Sequence, residues 1–161
     1  MTIAARNAAE LAEIRDVIDR WTFALQNKYP APVAARQTRH FVQYSLAPPL
    51  IADTSNTDDL EDWFATWKGP IGYELIGAVI HASGDLAICH GIAHLTGEKI
   101  DGYLVDLWFR VTLGLTKSEG AWKIFHEHAS VPFYMDGSLR AAVDLKPQAQ
   151  EREEHDNGEP T

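Results

Sequence analysis

The feature that most constrains this sequence is an alternation of apolar and polar residues running from Ile71 to Pro132. Successive side chains of a β-strand point to opposite faces, so a period of two predicts strands. We place four of them, near 71–82, 85–96, 102–116 and 121–132. The connections are short and rich in turn-forming residues, which favours antiparallel pairing of neighbouring strands.

Helical patterns precede this sheet. Apolar residues recur at spacings of three and four over 8–27, and Asn7 is placed to cap the helix that this spacing predicts. A second amphipathic helix begins near Asp58 and ends at Gly69-Pro70. Weaker patterns predict a short helix over 33–40, a distorted hairpin or edge segment over 41–52 and a short helix over 138–144.

Helices followed by an antiparallel meander predict an α+β domain of two layers. A long, strongly curved sheet that wraps around a helix leaves a conical cavity, and such cavities are natural sites for small molecules. We assign this domain to residues 1–145 and interpret 146–161, which has little apolar content, as a disordered acidic tail.

Charge and cysteine content exclude several classes of function. The 161 residues carry a formal net charge of −9, which argues against nucleic acid and anionic membranes as partners, because both require a basic surface. No apolar run is long enough for a membrane span, and the start does not resemble a secretory signal. The only cysteine, Cys89, cannot form an internal disulfide, so we expect a reducing, cytoplasmic location.

The period of two also groups the polar side chains of three strands. The third strand has one apolar face, which must be buried, and one face with an acid, a tryptophan and a base. We take the polar faces as the cavity wall, although a one-residue shift in register would exchange the faces of any strand. The grouped side chains are Asp106, Trp108 and Arg110; His90 and His94; and His126 and His128.

The last strand carries the motif G-x-W-K-I-x-H-E-H-x-S-x-P, from Gly120 to Pro132, preceded by Arg110 and Thr112. This pattern resembles the SnoaL-like branch of the nuclear transport factor 2-like superfamily, to which ketosteroid isomerase also belongs. The last strand and the stretch Gly91–Thr96 also resemble the association domain of calcium/calmodulin-dependent kinase, which carries a pocket arginine at the place of His94.

The resemblance covers roughly residues 8–135. It implies a cone-shaped, cystatin-like sheet around a long helix, a pocket at its open end and a homodimer. It does not imply one reaction, because members of the superfamily include isomerases, cyclases, dehydratases and scaffolds.

The leading hypothesis is acid/base catalysis, without cofactor or metal, on a small and partly hydrophobic molecule. In sites of the ketosteroid isomerase type, apolar walls hold a carboxylic acid neutral or an ionised one moves a proton, and Asp106 beside Trp108 is placed for either role. His94 and His126 are the further catalytic candidates. The candidates for substrate binding are Arg110, His90, Trp67, Trp108, Tyr44 and His128.

Other interpretations stay open at this stage. His126 and His128 have a spacing that occurs in metal sites, but we favour half-buried histidines bonded to the backbone or to neighbouring side chains over metal ligands. Tyr44 and Tyr73 are possible hydrogen-bond donors, though no motif fixes them. The alternative function is a ligand-binding or oligomerisation domain without catalysis.

Overall fold

The computed structural model describes residues 2–53 and 57–148 of the chain. It consists of three helices and a six-stranded sheet in which the second strand has only two residues. In chain order the elements are α1 (Ile3–Gln26), α2 (Pro30–Ala35), β1 (Gln37–Tyr44), β2 (Ala52–Asp53), α3 (Thr57–Ala65), β3 (Trp67–Ser83), β4 (Leu86–Lys99), β5 (Leu104–Ser118) and β6 (Ala121–Ser130).

The four predicted strands are confirmed as β3 to β6, and each pairs antiparallel with the next. The spatial order is β2-β1-β6-β5-β4-β3, and β1 runs parallel to β6. The sheet is open, since β2 and β3 are free edges. It is also strongly curved, and its strands β3, β4 and β5 are each 14 or more residues long. The predicted α+β class is therefore confirmed.

Helix α1 fills the concave side of this sheet. Its apolar stripe is buried against β3 and β6, and the stripe consists of Ile14, Ile18, Trp21, Ala24 and Leu25. Burying an aliphatic or aromatic side chain contributes about 1.5–3 kcal/mol, so this stripe holds the two layers together. The helix begins earlier than predicted, because Thr2 rather than Asn7 caps it by accepting a hydrogen bond from the Ala5 amide.

Two predicted short helices are corrected. The first, over 33–40, ends at Ala35, and the chain then enters β1, where Gln37 pairs with Ile124 of β6. Sheet pairing here overrides a weak helical pattern. The second, over 138–144, is a series of turns closed by a bridge between Phe133 and Ala141. The Gly69-Pro70 pair also lies inside β3 instead of ending a helix.

Breaks in register bend the sheet. Strand β3 shifts its pairing with β4 between Lys68 and Gly72 and again between Ile76 and Val79. A third shift separates the two ends of the β5–β6 ladder. An extra residue on one strand increases local twist and bends the strand, which accounts for the curvature around α1.

The described residues end within the predicted tail. Lys146 is described, whereas 149–161 lie outside the described part of the chain, so the disorder of the tail stays a prediction. None of the helices in the described ranges is long and apolar enough to cross a lipid bilayer.

Candidate functional site

The concave side of the sheet encloses a cavity of about 650 Å³. Helices α1, α2 and α3 form one side, the inner faces of β3 to β6 form the other, and residues 45–49 after β1 lie along its rim. The sheet contributes a nearly continuous apolar floor. That floor consists of Leu95, Val105, Leu107, Phe109 and Ala129.

Aromatic rings from both the helices and the strands form part of the cavity wall. Trp63 of α3 and Trp67 of β3 meet edge to face with ring centroids 5.8 Å apart. Tyr73 contacts both Trp21 of α1, at 5.9 Å, and Phe109 of β5, at 6.1 Å. Edge-to-face packing fixes these rings relative to one another, so the wall is rigid and mostly apolar.

Of the two carboxyl-bearing residues that line this cavity, Asp59 is exposed and Glu127 is buried. Glu127 of β6 is 6% exposed, and burial raises the pKa of its carboxyl to about 7. The side-chain amide of Gln43, on the neighbouring β1, donates a hydrogen bond of 2.8 Å to Glu127 Oε2. That bond favours the ionised form and lowers the pKa, but the loss of hydration outweighs it.

The hydroxyl of Tyr73 lies in the same part of the cavity. It is buried and has no hydrogen-bond partner among the described residues. Burial is the main cause of a pKa well above the usual value for tyrosine, and the charge of Glu127 raises it further. The phenol therefore stays protonated and is able to donate a hydrogen bond close to the Glu127 carboxyl.

A cation lines the cavity near the end of β4. Lys99 Nζ donates a hydrogen bond of 2.8 Å to Thr66 Oγ1 and lies 3.8 Å from the centroid of the Trp67 ring. Burial lowers the pKa of this ammonium group. The tryptophan fits here because Gly97 has no side chain, since a Cβ at that position would lie 3.0 Å from the indole ring.

The predicted catalytic residues lie on the opposite, convex face. Asp106 is 54% exposed and accepts a hydrogen bond of 2.7 Å from His94 Nε2, while Lys146 lies 3.4 Å from its other oxygen. The bond from His94 is the largest cause of a lowered pKa for Asp106, so this carboxylate is ionised rather than held neutral. Trp108 stacks on His94 with centroids 3.9 Å apart instead of walling a cavity.

The other predicted residues share that convex face, with one exception. His126 Nδ1 donates to the Val42 carbonyl at 2.8 Å, which confirms the interpretation of a half-buried histidine bonded to the backbone. Tyr44 contacts the His126 and His128 rings, at 4.7 and 5.4 Å. The predicted placement in the cavity is thus corrected for eight of the nine residues, namely Asp106, His94, His126, Arg110, His90, Trp108, Tyr44 and His128; Trp67 does line it.

The physical reason is that the apolar faces, which must be buried, are themselves the cavity floor. The groupings predicted for β4 and β5 are confirmed, since Ala93, Leu95 and Phe109 face inward and His94 and Arg110 face outward. Burial therefore turns the polar faces of these two strands to the outside of the sheet.

A bulge on β6 changes the grouping of that strand. Leu115 pairs with Ile124 but Gly114 pairs with His126, so Phe125 is an extra residue in β6. Trp122 and Ile124 point inward before the bulge, and Glu127 and Ala129 point inward after it. Without the bulge, a histidine would take the inward place of Glu127.

Sequence reasoning missed Glu127, Gln43 and Lys99. The available signal was Gly114 in the middle of an apolar strand, because an isolated glycine there is typical of a bulge or a close approach. The ring of Phe125 covers that glycine, since a Cβ on Gly114 would lie 2.7 Å from it. Lys99 lies inside the connection predicted over 97–101 and carries no comparable signal.

In the ranges 2–53 and 57–148, no three side chains of His, Cys, Asp or Glu come together in a way that would hold a metal ion.

Comparison with known protein families shows which family has this architecture. A family model described as a SnoaL-like domain matches residues 14–134, which is most of the chain. The chain belongs to the SnoaL-like domain family. The predicted resemblance is thereby confirmed, and none of the curated proteins compared with the chain matches it.

Solved structures with a similar fold cover most of the chain. A nuclear transport factor 2-like protein of unknown function from Pseudomonas putida KT2440 is 30% identical, with a TM-score of 0.77 over 87% of this chain and 98% of that one. A protein from Shewanella frigidimarina, named provisionally as a ketosteroid isomerase, is 27% identical, with a TM-score of 0.60 over 71% and 92%. A protein from Novosphingobium aromaticivorans, named provisionally as a scytalone dehydratase, shares the fold at 17% identity, with a TM-score of 0.72 over 91% and 99%.

Proposed function

We propose that this SnoaL-like protein binds a small, mostly apolar carbonyl compound in its cavity and moves a proton on it without a cofactor. The observation that carries the proposal is Glu127, a buried carboxyl in an apolar cavity with a pKa of about 7. A general acid or base works best when its pKa lies near the working pH, because both protonation states are then populated. The names of the Shewanella and Novosphingobium proteins, an isomerase and a dehydratase, agree with this class of chemistry.

Two side chains have distinct roles in the proposed step. The Glu127 carboxylate takes a proton from the carbon next to the substrate carbonyl. The C–H bond breaks, its electron pair forms a carbon–carbon double bond, and the negative charge moves to the carbonyl oxygen. The Tyr73 hydroxyl donates a hydrogen bond to that oxygen, and stabilisation of this kind is worth most in a water-poor site.

The protonated Glu127 then returns the proton. Delivery to a different carbon gives an isomerisation, while delivery to a departing hydroxyl gives a dehydration. Gln43 positions Glu127 throughout, because its amide holds Oε2 at 2.8 Å. Gln43 is therefore a positioning residue rather than a catalytic one.

Hydrogen–deuterium exchange tests the proposal. Cyclic ketones such as 2-tetralone are incubated with the protein in D₂O, and loss of the α-proton signal is followed by NMR. We expect the wild type to accelerate exchange and Glu127→Gln to lose roughly 100-fold or more of that acceleration, which is the usual contribution of a general base. The wild-type rate should rise with pH and level off above about 7 as Glu127 ionises.

Asp106→Asn provides the matched control, because it neutralises a carboxylate on the convex face. We expect it to keep the wild-type rate within about twofold, since the Asp106 side chain lies on the opposite face of β5 from the cavity. Ketones that quench the cavity tryptophans yet exchange at the buffer rate would contradict catalysis and favour the alternative, ligand binding alone. Loss of exchange in Asp106→Asn with full activity in Glu127→Gln would reverse our assignment.

We also propose that the protein is a cytoplasmic homodimer joined through the convex face. That face carries rings and aliphatic side chains in the middle of the sheet, among them Ile76, Ile92 and Trp108, which are partly buried. The proposed location agrees with a single cysteine, Cys89, that is buried and unpaired.

A further inference from the structure

The cavity of the SnoaL-like domain is apolar along its floor but cationic at one end. Lys99, the last residue of β4, lines it together with Trp63 and Trp67. The ammonium group lies 3.8 Å from the centroid of the Trp67 ring and 5.9 Å from that of Trp63. The side chain is partly buried, and this partial removal from water lowers the pKa of Lys99.

The charge of Lys99 is not balanced by an ion pair within the described ranges. The ion pairs found there join other residues, and none brings a carboxylate within 4.0 Å of Lys99 Nζ. Asp101 raises the pKa of the ammonium group, but as a smaller effect than burial. Thr66 Oγ1 accepts one of the three N–H hydrogens at 2.8 Å, and the remaining two are available to a ligand.

The position of the ammonium group is fixed by its surroundings. Trp67 is 3% exposed and packs over Gly97, which has a φ of +146° and no Cβ to obstruct the ring. The backbone of Lys99 is held as well, because its amide donates to the Tyr103 carbonyl at 2.8 Å. A cation placed in this way costs little further ordering when it binds an anion.

Lys99 and Glu127 lie at two ends of the cavity. Glu127 is level with Leu113 of β5, whereas Lys99 follows the pair Glu98–Leu104 at the other end of that strand. The apolar floor from Val105 to Phe109 lies between the two levels. A ligand in contact with both polar groups must therefore be apolar in the middle.

We propose that Lys99 is an anion-binding residue and that the ligand of this cavity is an apolar molecule carrying a carboxylate. The carboxylate accepts hydrogen bonds from the ammonium group, and the ring or chain of the ligand lies against the tryptophans and the floor. This inference rests on the proposed function for the cavity as a binding site. It narrows the substrates from carbonyl compounds in general to carbonyl acids.

Calorimetry with two matched probes tests the inference. 2-Naphthylacetate and 2-naphthylacetamide share a ring system and nearly the same size but differ in charge. At pH 6 Glu127 is mostly protonated, because its pKa is about 7, while the probe acid is ionised. We expect the wild type to prefer the acid by about five- to tenfold, as one charge-assisted hydrogen bond provides, and we expect Lys99→Met to bind the acid no better than the amide.

Two further variants make the result specific. Lys99→Arg keeps the charge and should keep the preference for the acid. Lys68→Met removes a nearby lysine that pairs with Glu98 at 3.2 Å and does not line the cavity, so its preference should match the wild type. Equal binding of both probes to the wild type, or an unchanged preference in Lys99→Met, would overturn the anion site. If the wild type bound neither the neutral amide nor the acid, the result would instead contradict the cavity as a binding site.

Discussion

Two carboxyl groups of this protein show how strongly position decides chemistry. Asp106, on the convex face, accepts hydrogen bonds from His94 and Lys146, and its pKa is lowered. Glu127, on the concave face, has the amide of Gln43 beside it, and burial raises its pKa to about 7. Only the second group changes its protonation state near neutral pH, which is why we assign the proton transfer to Glu127.

The raised pKa of Glu127 also has a consequence for stability. Below pH 4.5 the group is protonated in the folded and the unfolded chain alike, and the folded state has no cost from it. Between pH 4.5 and 7 the unfolded chain binds fewer protons than the folded one, so the free energy of unfolding falls as pH rises. A pKa shift of this size lowers the free energy of unfolding by roughly 3 kcal/mol once the pH has passed 7.

At the scale of residues, the sequence predicts that a carboxyl group transfers the proton, but it does not predict which residue carries that group. A buried carboxyl beside aromatic rings was predicted, and Trp67 was placed correctly in the cavity. Asp106 is the residue predicted for this role because it shares a face of its strand with Trp108, in the manner of sites of the ketosteroid isomerase type. Alternation shows which face of a strand is apolar and therefore buried, but it does not show that the cavity lies on that buried face, and the bulge on β6 places Glu127 there.

At the scale of elements, the strands were predictable and their bulges were not. The alternation from Ile71 to Pro132 gave four strands and their antiparallel pairing because it reflects burial along the whole segment. The inward position of Glu127 depends on the one extra residue, Phe125, in β6. Likewise β1 begins inside the predicted helix over 33–40, because its pairing with β6 is non-local and leaves no local pattern. The rest of β1 pairs antiparallel with β2, in agreement with the distorted hairpin predicted over 41–52.

The bulge on β6 can be tested at Gly114. A Cβ there would lie 2.7 Å from the Phe125 ring, so Gly114→Ala should displace the ring and lower the free energy of unfolding by about 1–3 kcal/mol. Urea denaturation measures this loss. In a Phe125→Ala background the same glycine substitution should cost less than about 0.5 kcal/mol, because the ring is gone. If Gly114→Ala lowered the free energy of unfolding equally in both backgrounds, the Phe125 ring would not be the reason that position 114 requires a glycine.

At the scale of the whole molecule, the curved sheet separates two surfaces. The concave face carries the cavity with Glu127, Tyr73 and Lys99, and the convex face carries the histidines and Asp106. The family fold and the helix-filled sheet were both predictable, because length, helix pattern and the final-strand motif agree with one architecture. The sequence did not predict which of the two surfaces carries the functional residues, because that depends on which face of the sheet packs against α1.

The proposed homodimer belongs to this scale. Ile92 lies in the middle of the convex face, opposite Ile76 and Arg110 on the neighbouring strands. We expect sedimentation velocity to give a dimer for the wild type and a monomer for Ile92→Glu, because a charge would be buried without a partner. Phe23→Glu, at an exposed site on α1, should remain dimeric. A wild-type monomer, or a dimer that survives Ile92→Glu, would contradict an interface on this face.

The titration of the Glu127 side chain tests the central claim most directly. Carbon-13 NMR of the glutamate carboxyl groups, with Glu127 assigned by comparison with Glu127→Gln, gives the midpoint of its ionisation. Our account predicts a midpoint near 7, because burial in the apolar cavity outweighs the hydrogen bond from Gln43. A midpoint near the ordinary value of 4.5 would show that water solvates this carboxyl freely, and it would contradict the proposed proton transfer.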